Sequence, residues 1–214
     1  MKIIECAQGT QEWLESRSGI ITASMFSECC RKLKVGKNKG GPTTLAEDYA
    51  FKLAVERISG SRLEEDKFET FEMRRGHDLE PDARLLHESE KGILVDPAGI
   101  IVSDDGRFGA SVDGLINNDG ISEYKCFISP KRLKPILMDG DIDEIKHQAQ
   151  GGLWLTERDY CDCVLYCPAL EPVNKELTII TTYRDDEYIK NMERDLLIFD
   201  DLVCSYMEKL KQAA

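Results

Sequence analysis

The sequence has no long hydrophobic run and no excess of positive charge. No apolar segment among its 214 residues approaches the roughly 18 residues that a membrane-spanning helix needs. The N-terminal segment becomes polar after a few residues, so we expect no signal peptide and a cytoplasmic protein. A net charge of −12 counts against a protein that binds nucleic acid over its whole surface.

The sequence also lacks linkers, repeats and low-complexity tracts. No segment rich in proline, glycine and serine divides it, and 42% of its residues are hydrophobic. A chain of this length can bury one full core. We therefore expect residues 1–214 to form a single domain.

The eight cysteines are expected to be reduced, because nothing in the sequence indicates export. Cys161, Cys163 and Cys167 occupy alternate positions in YCDCVLYCP, which predicts one packed face of a strand. The alternative is an iron-sulfur or zinc site shared with Cys29 or Cys30. The spacing matches no common ligand pattern for such a site.

One segment is locally basic. Residues 31–41, RKLKVGKNKGG, contain five basic residues, three glycines and no acidic residue. Such a loop on an acidic protein could bind phosphate while the rest of the surface repels it. A solvated flexible loop is the alternative, and the segment alone does not decide between them.

Hydrophobic periodicity predicts helices on both sides of a sheet. Residues 44–59 carry a helical apolar stripe, and a second helix should cover Arg75–Lys91, with Pro81 in a first turn or at a kink. Thr22 resembles an N-cap that places Ser24 in the first turn of a helix, where free amides favour an anion.

The following segment, 92–126, alternates β-branched runs with turn signals and predicts three or four antiparallel strands. A helix, two strands and a long amphipathic helix complete the chain. This order predicts an α/β or α+β fold with a central mixed sheet flanked by helices.

The segment SVDGLINNDGISEYKC, residues 111–126, brings charged groups together. The two-residue period of a strand places Glu123 and Lys125 on one face, and the turn before it can bring Asp113 level with Glu123. Two converging carboxylates suit a hard divalent cation, and the adjacent lysine could orient a water or help deprotonate it. An exposed cross-strand ion pair is the alternative, and it is the better interpretation of this segment taken alone.

Five segments in order resemble a known nuclease family. They are WLESRSGIITAS, RGHDLEPDAR, SVDG, EYKC and QAQGGLW. Together they resemble the PD-(D/E)xK superfamily, and specifically the phage lambda exonuclease or YqaJ-type viral recombinase family. Two departures stand out: Val112 replaces the family's usual proline, and Pro81 follows Glu80 directly.

The resemblance implies a restriction-endonuclease-like α/β core and a role for each matching residue. The implied metal ligands are Asp113, Glu123, Glu80 and the main-chain carbonyl of Tyr124. Lys125 positions the attacking water, and Gln150 hydrogen-bonds near the scissile phosphate.

The resemblance further assigns residues to DNA binding. The 5′-phosphate pocket consists of Arg17, Ser24 and Ser111. Contacts to the DNA backbone come from Arg31, Lys32, Lys34, Lys37, Lys39 and Lys131. The two tryptophans, Trp13 and Trp154, are expected in the core rather than stacked on bases.

The implied activity is a magnesium-dependent exodeoxyribonuclease that uses Mg²⁺, with Mn²⁺ as a possible substitute and two ions at each site. It degrades one strand of a DNA duplex 5′ to 3′, releases 5′-phosphomononucleotides and leaves 3′ tails for recombination. The implied partners are double-stranded DNA ends, two further copies in a homotrimeric ring and a single-strand annealing protein, in a bacterial host cell. The alternatives are an endonuclease or junction resolvase of the same superfamily, and a non-catalytic DNA-end clamp.

Overall fold

The computed structural model describes residues 1–63 and 70–212. In these residues the helices are α1 (Gln11–Ser16), α2 (Phe26–Cys30), α3 (Thr44–Ser59), α4 (Phe71–Lys91), α5 (Pro130–Asp139), α6 (Asp143–Thr156) and α7 (Asp186–Gln212). The strands are β1 (Lys2–Ile4), β2 (Ile21–Thr22), β3 (Val95–Asp96), β4 (Ile100–Val102), β5 (Phe108–Ala110), β6 (Gly114–Ile116), β7 (Gly120–Lys125), β8 (Tyr160–Tyr166) and β9 (Leu177–Tyr183). No helix in these ranges is long and apolar enough to cross a membrane.

The strands form two mixed sheets, in the orders β1-β4-β5-β2 and β3-β6-β7-β8-β9. The α/β prediction is confirmed, but the sheet is divided. The segment predicted to hold three or four consecutive strands holds five. Of these, β4 and β5 belong to the first sheet, whereas β3, β6 and β7 belong to the second. Sequence pattern shows where strands occur but not which strands pair, because pairing depends on the path of the intervening turns.

The β6–β7 hairpin sets the register of the predicted site. Gly114 pairs with Ser122 and Ile116 with Gly120, with Asn117 in the left-handed conformation at φ 47°. The Nη1 atom of Arg158 donates to the carbonyls of Ile116 and Gly120, at 3.1 and 2.6 Å. The Arg158 side chain and the turn at Asn117 therefore fix which residues face each other across the hairpin.

Helix α6 packs against strands of both sheets, and two consecutive glycines allow its close approach. A Cβ on Gly151 would lie 2.6 Å from the ring of Phe26, and one on Gly152 would lie 2.8 Å from Ile121. This packing buries one continuous apolar cluster between the helix and the sheets. The main core includes Cys161 and Cys163, so the predicted packed strand face is confirmed.

Two local predictions need correction, and a third is narrowed. Pro81 lies in the middle of α4, which excludes the first turn and leaves the other alternative, a kink. Thr22 precedes a short 3₁₀ helix, 23–25, and makes no side-chain cap hydrogen bond, so Ser24 lies in that turn and not in an α-helix. Both tryptophans are half buried; Trp154 packs against the core as expected, whereas Trp13 is not part of that cluster.

Candidate active site

Asp113, Glu123 and Lys125 meet at the end of the β6–β7 hairpin. The pairing of Gly114 with Ser122 brings Asp113 level with Glu123, as the sequence predicts. The carboxylate of Asp113 accepts the main-chain N–H of Tyr124 at 2.8 Å, and the Lys125 ammonium lies 3.1 Å from Glu123 Oε2. The side chain of Glu123 is almost completely buried, so this is not the exposed ion pair of the alternative interpretation.

The electrostatics of this site shift the pKa values of both Glu123 and Lys125. Burial raises the pKa of Glu123 to about 8; Lys125 works against this shift, while Asp113 and Glu80 add to it. Burial works to lower the pKa of Lys125, but Glu123 and Asp113 outweigh it and raise that pKa. The lysine is therefore held as an ammonium, which donates hydrogen bonds and orients a neighbour.

The two glutamines of α6 have different surroundings, and the sequence assigned a role only to Gln150. The amide of Gln148 donates to Glu123 Oε2 at 2.6 Å. Gln150 is buried elsewhere: its amide donates to the Tyr183 carbonyl at 2.8 Å and accepts the Asp185 N–H at 2.9 Å. Both ends of its amide therefore hold the link between β9 and α7. The role of Gln150 near the scissile phosphate stays a prediction.

Only one of the two glutamines can face β7. Successive helical residues are rotated by about 100°, so residues 148 and 150 face directions about 200° apart. Gly152 packs on Ile121 of β7, and Gln148, four residues earlier, lies on the same helix face. The helix period therefore excludes one of the two glutamines, and the packing of Gly152 on Ile121 decides which one reaches the strand.

Helix α4 contributes Glu80 and one residue without an assigned role, Arg84. The guanidinium of Arg84 donates to the Asp113 carbonyl at 2.7 Å and lies 3.5 Å from Glu80 Oε1. Burial, followed by the charge of Asp113, raises the pKa of Glu80. Glu80 is therefore close enough to the carboxylate pair to interact with it electrostatically, and Arg84 fastens this part of α4 to the residue that precedes β6.

The donor set fits a divalent cation that keeps part of its water shell. Within residues 1–63 and 70–212, no three His, Cys, Asp or Glu side chains form a ready-made metal cluster. Magnesium characteristically binds one or two protein carboxylates and completes its shell with water and substrate phosphate. Asp113, the buried Glu123 and the Tyr124 carbonyl offer such a set, and the raised pKa of Glu123 marks a site that a cation would stabilise.

A second polar site surrounds Arg17. Its guanidinium lies 4.1 Å from the centre of the Trp13 ring and 3.5 Å from the exposed hydroxyl of Ser24. The Trp13 indole donates to the Ser111 hydroxyl at 2.9 Å. The structure brings all three predicted phosphate contacts together: Arg17 and Ser111 contact Trp13, and Ser24 contacts Arg17. The half-buried position of Trp13 follows from its two contacts.

The surroundings of Arg17 suit an anion. Arg17 and Ser24 border a cleft of about 500 Å³ between α1 and α3. Burial lowers the pKa of Arg17, although an arginine remains protonated at neutral pH. In the described part of the chain no carboxylate forms an ion pair with this guanidinium.

The predicted backbone contacts lie on the surface. The basic segment forms a small loop closed by the bridge between Lys32 and Pro42. Arg31 pairs with Glu28 at 3.0 Å, so it is less available to a phosphate than the exposed lysines beyond it. Lys131 lies exposed in the first turn of α5.

Solved structures share this fold. The chain is 29% identical to an alkaline exonuclease, LHK-Exo, from Laribacter hongkongensis, with a TM-score of 0.79 over 95% of this chain and 97% of that one. The same exonuclease in complex with dAMP gives a TM-score of 0.80 at the same identity and coverage. A phage-related exonuclease from Haemophilus somnus 129PT is 17% identical, with a TM-score of 0.68 over 91% of this chain and 96% of that one, and shares the fold.

The fold and the cluster of carboxylates beside a lysine define an α/β protein of the nuclease class. A family model for the YqaJ-like viral recombinase domain matches residues 12–159. This chain belongs to that family. A comparison with curated proteins finds no match.

Proposed function

We propose that this protein is a magnesium-dependent DNA exonuclease that degrades one strand of a duplex 5′ to 3′ and leaves a 3′ single-stranded tail for recombination. The product would be 5′-phosphomononucleotides. The family and the likeness to LHK-Exo support DNA as the substrate. The observation that carries the proposal is the junction of Asp113, Glu123 and Lys125 beside Gln148 in a buried, negatively charged site.

Asp113, Glu123 and the Tyr124 carbonyl would hold Mg²⁺, with Glu80 near a second position and Mn²⁺ as a possible substitute. A bound divalent ion supplies Lewis-acid stabilisation of the charge that develops on the phosphate. The Lys125 ammonium orients the attacking water through hydrogen bonds. Gln148 keeps Glu123 in place, and Arg84 does the same for Glu80.

The Arg17 site would bind the 5′-phosphate of the DNA end. A guanidinium can form two parallel hydrogen bonds to phosphate oxygens, and the hydroxyls of Ser24 and Ser111 can complete the set. The exposed lysines of 31–41, together with Lys131, would contact the DNA backbone. This division separates recognition of the end from cleavage.

The chain is acidic overall, so its outer surface would repel DNA. A ring with a basic channel would still bind a duplex that is threaded through it. The proposed assembly is a homotrimer that encloses the duplex in a basic channel, acting with a single-strand annealing protein. Light scattering on the purified protein should give the mass of three chains, and a monomer would contradict the ring.

Linear duplex DNA with 5′-phosphate ends tests the activity. With Mg²⁺ we expect release of 5′-mononucleotides and an accumulating 3′ single strand, whereas Ca²⁺ in place of Mg²⁺ should support binding without cleavage. A covalently closed circular duplex is the matched control and should resist degradation. Cleavage of the circle would indicate an endonuclease or resolvase, and binding without nucleotide release would indicate an end clamp.

Arg17→Ala should erase the preference for 5′-phosphorylated over 5′-hydroxyl ends. Hydrogen bonds to a charged group contribute about 1.5–3 kcal/mol, so the preference should fall by roughly tenfold to a hundredfold in kcat/KM. Arg17→Lys should recover only part of it, because an ammonium lacks the planar pair of donors. Arg194→Ala, which removes an exposed arginine of α7, is the control. Equal rates on both ends by the unaltered protein would refute the pocket.

A further inference from the structure

A chain of buried polar side chains lies behind the proposed metal site. The His87 ring is fully buried, with Nδ1 3.0 Å from the Tyr124 hydroxyl and Nε2 3.1 Å from Asp162 Oδ2. Asp162 is also buried, and its other oxygen contacts Thr181 and Lys91 at 2.5 and 3.3 Å. The chain of contacts therefore connects β9, β8, α4 and β7, and it ends on Tyr124.

The direction of the hydrogen bonds to Asp162 follows from the charge on its carboxylate. Burial works to raise the pKa of the Asp162 carboxyl, but hydrogen bonds from His87 and Thr181 outweigh it and hold that pKa below its usual value. An ionised carboxylate only accepts, so Nε2 of His87 carries a proton. The other ring nitrogen, Nδ1, is within hydrogen-bond distance of the Tyr124 hydroxyl. Asp162 thus accepts from His87 on one oxygen and from Thr181 and Lys91 on the other.

Tyr124 connects this buried chain to the carboxylates. Its main-chain N–H donates to Asp113 Oδ2 at 2.8 Å, and its main-chain carbonyl belongs to the proposed metal ligands. Its ring packs against Ala83 of α4 and Val164 of β8, on the strand face opposite to Glu123. A movement of this ring relative to α4 would thus move the backbone that holds Asp113.

The same face of α4 carries the third carboxylate. Glu80, Arg84 and His87 are separated by four and three residues, which places them in one stripe along the helix. Arg84, in the middle of this stripe, contacts the Asp113 carbonyl, and His87, at its C-terminal end, contacts Tyr124. Two contacts on one helix face fix both the position and the rotation of α4 against β7.

From this geometry we infer that His87 is a positioning residue for metal binding. Anchored by Asp162, it holds the Tyr124 hydroxyl and thereby sets the distance between Glu80 on α4 and the Asp113–Glu123 pair on the hairpin. The inference rests on the proposed function, because it assigns His87 to the same site. It adds a residue that touches neither metal nor DNA.

Packing alone does not require this network. A buried charge and a buried imidazole cost desolvation free energy, and an apolar group of similar shape often serves stability equally well. Hydrogen bonds add directionality. They hold the Tyr124 ring in one orientation, whereas an apolar contact would allow several. Outer partners of this kind orient metal ligands, and their loss typically weakens metal binding by roughly ten- to a hundredfold.

Tyr124→Phe removes one oxygen and tests the inference directly. Mn²⁺ binding without DNA, measured by electron paramagnetic resonance or calorimetry, should weaken roughly tenfold or more. The Mg²⁺ concentration for half-maximal cleavage should rise similarly, while kcat at saturating Mg²⁺ and the 5′-phosphate preference change much less. The matched control is Tyr166→Phe, which makes the same chemical change in the same small apolar cluster without touching His87. This control should bind Mn²⁺ as the unaltered protein does.

The outcomes separate the inference from the proposed function. Unchanged Mn²⁺ affinity in Tyr124→Phe overturns the inference, whether or not the variant is less stable to heat. Should Tyr124→Phe fail to fold, His87→Phe removes the same hydrogen bond while keeping a ring, and the same weakening is expected. An unaltered protein that neither binds Mn²⁺ nor degrades DNA would instead overturn the proposed function.

Discussion

Lys125→Ala should abolish cleavage of linear duplex DNA while leaving DNA binding almost unchanged. Loss of a group that orients the attacking water typically costs roughly 10²–10⁴-fold in rate. The cost should be at the upper end here, because Lys125 is also the cation beside the buried Glu123. Binding in Ca²⁺ depends mainly on the phosphate contacts of the Arg17 site and the basic loop, so it should remain within about twofold.

Two further variants make the Lys125 result specific. Lys125→Met keeps the aliphatic length of the side chain and should be as inactive as the alanine variant, which would exclude a packing defect as the cause. Lys209→Ala removes a lysine that lies 5.5 Å from the Tyr206 ring on α7, and it should cleave at the unaltered rate. Substantial magnesium-dependent cleavage by Lys125→Ala would remove this residue from the catalytic role.

The two glutamines of α6 should give opposite phenotypes. Gln148→Ala removes the hydrogen bond to Glu123, so we expect roughly tenfold to a hundredfold lower activity with little change in Tm. Gln150→Ala leaves a buried carbonyl and a buried N–H without their partners, at about 1–3 kcal/mol for each group. In a chain of this length, each kcal/mol lowers Tm by about 2–4 °C.

Each of the two variants is a control for the other, because both replace a glutamine by alanine in the same helix. A difference between them therefore does not come from helix propensity. The kcat/KM of Gln150→Ala, taken well below its own Tm, should stay within a few-fold of the unaltered value. If Gln150→Ala were stable but inactive and Gln148→Ala fully active, the result would support the assignment from the family resemblance, in which Gln150 lies near the scissile phosphate.

Much of the active site could be predicted because it depends on strand periodicity. Alternation along ISEYK placed Glu123 and Lys125 on one face, and the NNDG turn brought Asp113 level with Glu123. Both steps use spacing within a single hairpin. The placement of Arg17 near Ser24 came from the family resemblance, and in the structure the two side chains are 3.5 Å apart.

The rest depended on how elements pack. Which glutamine faces β7 is decided by the rotation of α6 about its axis, and Gly151 and Gly152 set that rotation by admitting Phe26 and Ile121. The division of the strands between two sheets followed from turn paths that composition does not encode. The exposed ion pair, the better interpretation of SVDGLINNDGISEYKC taken alone, was wrong because α6 covers Glu123.

The sequence by itself determined the helices, the strands and the order of charged residues along the β6–β7 hairpin, because these follow from periods of two and 3.6 residues and from turn chemistry. Only the tertiary structure decided that Gln148 contacts Glu123. The same holds for the two contacts of α4, from Arg84 to the Asp113 carbonyl and from His87 to the Tyr124 hydroxyl. The physical reason is that side-chain direction within one element is local. Contacts between elements also depend on how deeply and at what rotation each helix packs against the sheet.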